Sequence, residues 1–92
     1  YFMESMEKSA RAMGLSNEQA SLLTIETALG AAKMASLSNS DLSELRKQVT
    51  SPGGTTEQAI IKFQQGNLEQ LVHEAMNAAK QKAIELSQRF GD

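Results

Sequence analysis

Ninety-two residues with a net charge of −2 describe one modest domain, and the balance of acids and bases leaves no basic face for nucleic acid or for an anionic membrane. There is no cysteine, which excludes disulfides, thiolate metal sites and a cysteine nucleophile and suits a reducing, cytoplasmic setting. Aromatic residues make up only 4 %, so the packing must come from Leu, Ile, Ala and five Met, and no apolar run approaches the roughly 20 residues of a membrane span.

The chain opens on Tyr1-Phe2-Met3, already in helical register and without a cap or a signal-peptide pattern. That start predicts a piece of a longer protein. From Tyr1 to Met13, Phe2, Met3, Met6, Ala10 and Met13 recur at steps of three and four, one face of a helix, with Gly14 as its stop. Ser16-Asn17-Glu18-Gln19 is a capping box that starts a second helix reaching about Ser36. Leu22, Ile25, Leu29, Ala32 and Met34 form its apolar face. Within it, Gly30 costs roughly 1 kcal/mol against alanine, a cost that fits the close approach of another helix or simple tolerance of one glycine.

A serine-rich loop over Ser36 to Ser40 leads to a third capping box at Asp41 and Glu44. The short helix that follows, through about Val49, is expected to turn Leu42, Leu45 and Val49 inward. A fourth helix is expected from about Glu57 to Gln65, burying Ala59, Ile60 and Phe63 and stopped by Gly66. Asn67 caps the last helix, with Gln70 three residues on, and that helix runs from about Leu68 to Phe90. Leu68, Leu71, Val72, Ala75, Met76, Ala79, Ala83, Leu86 and Phe90 make a continuous stripe along it, shallow around Ala75–Ala83 where alanine dominates. No segment alternates with the period of a strand. The expected fold is all-α, a bundle of about five helices. Its long apolar faces exceed what so small a chain can bury, which predicts a homodimer with intertwined helices.

Between the third and fourth helices lies Thr50-Ser51-Pro52-Gly53-Gly54-Thr55-Thr56-Glu57, with the only proline and two of the six glycines. Proline pre-sets φ near −65° and glycine accepts φ > 0, so Pro52-Gly53 is a turn. Thr55 or Thr56 is expected to cap the next helix, Thr55 together with Gln58 fitting the capping box. Backbone N–H groups flanked by hydroxyls at a helix N-terminus make a generic anion site, and the same residues also suit a plain helix–loop–helix turn.

The remaining inventory narrows the chemistry. The single histidine, His73, sits inside the last helix beside its apolar stripe and reads as a surface residue rather than a base. Glu4, Glu7 and Glu26 read as solvated or paired carboxylates. One His without Cys cannot nucleate a metal site. The loop is not a Walker A motif, because Thr55-Thr56, and not Lys-Ser/Thr, follows Gly54. A helix–turn–helix DNA reader is disfavoured, since the helix after the turn carries little to hold phosphates. A small carboxylate or a single phosphate suits the loop better.

Val49-Thr50-Ser51-Pro52-Gly53-Gly54-Thr55-Thr56-Glu57-Gln58-Ala59-Ile60 resembles the signature of the pyrroline-5-carboxylate reductases, the last enzymes of proline biosynthesis. The resemblance continues through Ala28-Leu29-Gly30-Ala31-Ala32-Lys33-Met34, the short helix over Asp41 to Val49, Gly66 and the long final helix. It implies that residues 1–92 are the C-terminal dimerisation and substrate-binding domain. The family's N-terminal Rossmann domain and its Gly-x-Gly-x-x-Gly are absent from this chain, which by itself is expected to be inactive. The implied reaction is hydride transfer from NADPH or NADH to the C=N carbon of 1-pyrroline-5-carboxylate, giving L-proline. By the family pattern the backbone N–H groups of Gly54, Thr55 and Thr56 hold the substrate carboxylate. The Thr56 hydroxyl approaches the ring nitrogen as the catalytic hydrogen-bonding group. Ser51 completes the pocket wall, and Gly53 and Gly54 let backbone touch ligand. The resemblance further implies dimers that can stack into rings. The competing reading is a stand-alone helical interaction module with an anion-binding loop.

Overall fold

The computed structural model describes residues 1–91, and among them every regular element is a helix. In chain order these are α1 (Phe2–Ala12), α2 (Asn17–Leu37), α3 (Leu42–Gln48), α4 (Thr55–Gln65) and α5 (Leu68–Phe90). They divide into two compact units, Tyr1–Lys47 and the residues from Gln48 onward.

In the first unit α1 packs against α2. The turn between them is set by short-range chemistry. Gly14, at φ 109°, donates its N–H to the Arg11 carbonyl at 3.0 Å, and the Leu15 N–H reaches the Ala10 carbonyl at 3.2 Å. These are the two bonds of a Schellman motif, which satisfies carbonyls that the helix end would leave open. Ser16 then caps α2 in the expected capping box. The Gln19 N–H donates to Ser16 Oγ and the Ser16 N–H donates to Gln19 Oε1, both at 3.1 Å. α2 continues one residue past Ser36, and Ser36 Oγ bonds back to the Lys33 carbonyl at 2.8 Å. The cap of α3 is half of the expected box, with the Glu44 N–H donating to Asp41 Oδ1 at 2.8 Å.

Only Ala20 and Thr24 are buried among the described residues, both in α2 where α1 crosses. The apolar face expected of α2 is instead open: Leu22, Ile25, Leu29 and Met34 are each at least half exposed. Apolar residues are spread around α2 rather than confined to one stripe, and such a helix needs cover on several sides. In α3, Leu45 is half-buried while Leu42 lies exposed, as does Val49 just beyond the helix, so only Leu45 turns inward as expected.

In the second unit α4 leans on the start of α5. Its inward residues are Ile60 and Ile61, with Leu68 of α5; Ala59 and Phe63 are more exposed than the sequence pattern suggests. The joint between α4 and α5 also differs from expectation. Gly66 stays at φ −84°, and Asn67 takes the left-handed conformation at φ 57° without capping α5 through its side chain. Asparagine is one of the few side chains that tolerates that region. Gln70, placed in a capping box by the spacing, pairs forward instead, its Nε2 donating to Glu74 Oε1 at 3.2 Å. Beyond Leu68, every residue of α5 is exposed. A helix of 23 residues with Leu71, Val72, Met76, Leu86 and Phe90 facing out cannot be accounted for by packing within its own unit.

Candidate functional site

The loop over Thr50–Glu57 lies wholly in the second unit, and two of its hydrogen bonds shape the turn at Pro52-Gly53. The Gly54 N–H donates to the Ser51 carbonyl at 2.9 Å, closing a four-residue turn with Pro52 and Gly53 at its centre. Gly53 has φ 74°. Positive φ at the third position, with proline at the second, defines a type II turn and explains why proline and glycine stand in that order. Gly54 serves a different purpose. Its backbone is extended (φ −86°, ψ 179°), but a Cβ there would stand 3.0 Å from the Ser51 carbonyl oxygen. The turn folds tightly onto this position, and only a residue without a side chain fits comfortably.

Because the turn closes at Gly54, α4 starts at Thr55, two residues earlier than the pattern suggests, with Gly54 as its N-cap. No side chain caps it, so neither Thr55 nor Thr56 takes the expected capping role and the Thr55–Gln58 box does not form. The first intrahelical bond runs from the Gln58 N–H to the Gly54 carbonyl at 3.3 Å. Among the described residues none accepts a hydrogen bond from the N–H groups of Thr55, Thr56 or Glu57. These are the orphan donors of a helix start, at its positive end. Gly54, expected to be one of the anion-holding donors, has its N–H committed to the turn. The free row is therefore shifted by one residue, to Thr55, Thr56 and Glu57.

Thr55 and Thr56 are exposed, as are Ser51 and Gly53, while Gly54 and Glu57 are half-buried. The loop thus presents three free N–H groups and nearby hydroxyls on an open surface, which suits one small anion with a hydrogen-bonding group beside it. Glu57 belongs to this site and was not singled out by sequence reasoning. Its Oε1 accepts from the Gly53 N–H at 3.0 Å. The available signal was an acid three residues after a capping position, but it appears only when Gly54, and not Thr55, is taken as the cap.

His73 is exposed in α5, and no group of three His, Cys, Asp or Glu among the described residues could hold a metal. No helix among them is long and apolar enough to cross a membrane.

A side chain at Gly53 would be strained only through its backbone, since nothing lies within 4 Å of where a Cβ would stand. Gly53→Ala should therefore destabilise the protein through the backbone alone, by about 1–2 kcal/mol. Denaturant unfolding measures this, and an unchanged midpoint would show that the positive φ carries no cost.

Residues 1–86 match the family described as pyrroline-5-carboxylate reductase dimerisation. A pyrroline-5-carboxylate reductase from Pseudomonas aeruginosa is 51 % identical over 89 residues, covering 97 % of this chain and 33 % of the relative. A solved pyrroline-5-carboxylate reductase from Coxiella burnetii superposes with TM-score 0.87 at 48 % identity, over 92 % of this chain and 32 % of that one. A Plasmodium falciparum pyrroline carboxylate reductase, solved with NADP bound, gives TM-score 0.85 at 28 % identity, over 88 % of this chain and 31 % of that one. The chain spans about a third of the length of the relatives it matches.

Proposed function

This chain belongs to the pyrroline-5-carboxylate reductase dimerisation family, and from that premise we propose that it is the dimerisation and substrate-binding part of a cytoplasmic enzyme that reduces 1-pyrroline-5-carboxylate to L-proline. The observation that carries this reading is the row of free N–H groups at Thr55, Thr56 and Glu57, with the Thr56 hydroxyl beside it. A cyclic imine bearing one carboxylate needs an anion site and a hydrogen-bonding group near its nitrogen, and the loop supplies both within the first turn of α4.

In this reading the N–H groups of Thr55 and Thr56, with that of Glu57, hold the substrate carboxylate against the positive end of the helix. The Thr56 hydroxyl meets the ring nitrogen and orients the C=N bond. Ser51 stands on the other side of the turn as pocket wall. Gly53 shapes the turn, and Gly54 keeps the entrance to α4 free of a side chain, so that backbone can approach ligand.

A reduced nicotinamide, NADPH or NADH, supplies the hydride when bound. The described residues contain no strand and no Gly-x-Gly-x-x-Gly, so they do not fit a dinucleotide. The cofactor's binding surface would therefore lie in sequence outside this chain. This chain contributes binding, orientation and a hydrogen bond.

The partner is a second copy of the same subunit. The apolar residues of α5 and the broad apolar surface of α2 are exposed within their own units, as helices are when a dimer interface covers them. Dimers of this kind can assemble further into rings.

The test is an assay of the complete protein that carries this sequence. Oxidation of NADPH or NADH should depend on added 1-pyrroline-5-carboxylate and yield proline in equal amount. No substrate-dependent oxidation with either cofactor would overturn the assignment.

A further inference from the structure

The geometry points to Glu57 as a positioning residue that latches the anion-binding turn, acting through its hydrogen bond to Gly53. The inference rests on the proposed role of this loop in holding a substrate carboxylate.

The turn has two closures, and they differ in kind. The Gly54-to-Ser51 bond is internal to the turn. It sets the curvature but does not tie the apex to the helix that follows. The bond from the Gly53 N–H to Glu57 Oε1, at 3.0 Å, makes that connection. It spans the residue with positive φ and the third residue of α4. Glycine populates both signs of φ, and a Cβ at Gly53 would meet nothing within 4 Å, so no side-chain packing fixes its conformation. A bond to its N–H from the helix restrains the backbone at that residue. It thereby fixes the turn against the helix start that carries the free N–H groups of Thr55, Thr56 and Glu57.

The Glu57 carboxylate is also a negative charge in the first turn of α4, where it offsets the positive end of the helix. An incoming carboxylate shares that end with it. The acceptor oxygen aids binding by ordering the loop, while the charge on the same group opposes it. These two effects can be separated by substitution. Glutamine keeps an oxygen that can accept from Gly53 and removes the charge; alanine removes both.

Steady-state kinetics of the complete enzyme, with 1-pyrroline-5-carboxylate as the varied substrate, tests the latch. Glu57→Ala should raise KM by about fivefold to tenfold and change kcat by less than about twofold, because the side chain orders the binding loop without touching the reacting atoms. Glu57→Gln should restore KM to the wild-type value or below it. Hydrogen–deuterium exchange of the peptide spanning residues 50–57 should quicken in Glu57→Ala and stay slow in Glu57→Gln. A wild-type KM in Glu57→Ala would overturn the inference. So would a Glu57→Gln variant as impaired as Glu57→Ala. If the wild-type enzyme fails to reduce 1-pyrroline-5-carboxylate, the functional reading falls by itself, and exchange alone then decides the latch: equal exchange in the wild type and Glu57→Ala rejects it.

Discussion

If the proposed dimeric reductase is assembled through α5, Val72→Asp is expected to dissociate it into monomers and to abolish most of its activity. Val72 lies in the apolar stripe near the start of α5 and is 47 % exposed within its own chain. The substitution therefore removes little internal packing. In the proposed dimer the same residue is covered, and two-fold symmetry introduces the new carboxylate twice. An unpaired buried charge costs several kcal/mol even after relaxation, so two copies oppose association by about 6 kcal/mol or more. At 1.4 kcal/mol for each tenfold, that weakens the dimer by about four orders of magnitude. Light scattering at micromolar concentration reads the outcome directly. A Val72→Asp protein that stays dimeric with wild-type circular dichroism would show that this stripe faces something other than a second subunit. Helical content should persist, because the new carboxylate would sit on an exposed face of the separated chain.

Thr56→Ala is expected to lower kcat/KM for 1-pyrroline-5-carboxylate by at least about tenfold, a loss of roughly 1.4 kcal/mol of transition-state stabilisation. Thr56 occupies the second position of α4, between the free N–H groups of Thr55 and Glu57. Alanine preserves its backbone donor, and alanine is the best helix former, so the anion row should survive. What is lost is the hydroxyl proposed to meet the ring nitrogen, where the charge distribution changes as the imine becomes an amine. The effect should therefore fall mainly on kcat. Thr56→Ser, which keeps the hydroxyl, should recover most of the activity. If Thr56→Ala retained wild-type kcat and KM, the orienting role would have to pass to Ser51 or Thr55.

Most of the helical framework was legible before the fold was seen, and the reason is range. Ser16 with Gln19, Asp41 with Glu44, and Gly14 after α1 act over three to five residues. Gly14 and the Ser16 box formed the bonds their spacing implies, and Asp41 formed the half that caps α3. Pro52-Gly53 was legible as a turn for the same reason. The errors came where two local solutions compete. Thr55 and Gln58 satisfy a capping box on paper, but an extended Gly54 can open the helix without any side-chain cap. The closure of the turn onto Ser51 selects the second, because Gly54 is then already extended at the helix entrance. That choice moved the free donors by one residue, took Gly54 out of the row and gave Glu57 a place at the site. At Gly66-Asn67 the positive φ could fall on either residue, and it fell on Asn67.

Burial was the least legible property within each unit. Ala59, Phe63, Leu42 and Val49 follow an inward helical pattern yet remain exposed to a degree that the pattern does not predict. Periodicity states which residues share a face and says nothing about what that face meets. Residue order was enough to establish an all-α chain, the positions of most helix starts and stops, and a Pro-Gly turn leading into a helix, since all of these rest on bonds between near neighbours. The folded chain was needed to settle which three N–H groups the loop leaves free, that Glu57 closes it, and that α5 carries its apolar stripe outward from its own unit. Those depend on backbone angles at Gly53 and Gly54 and on packing between helices, which composition and spacing constrain but do not select.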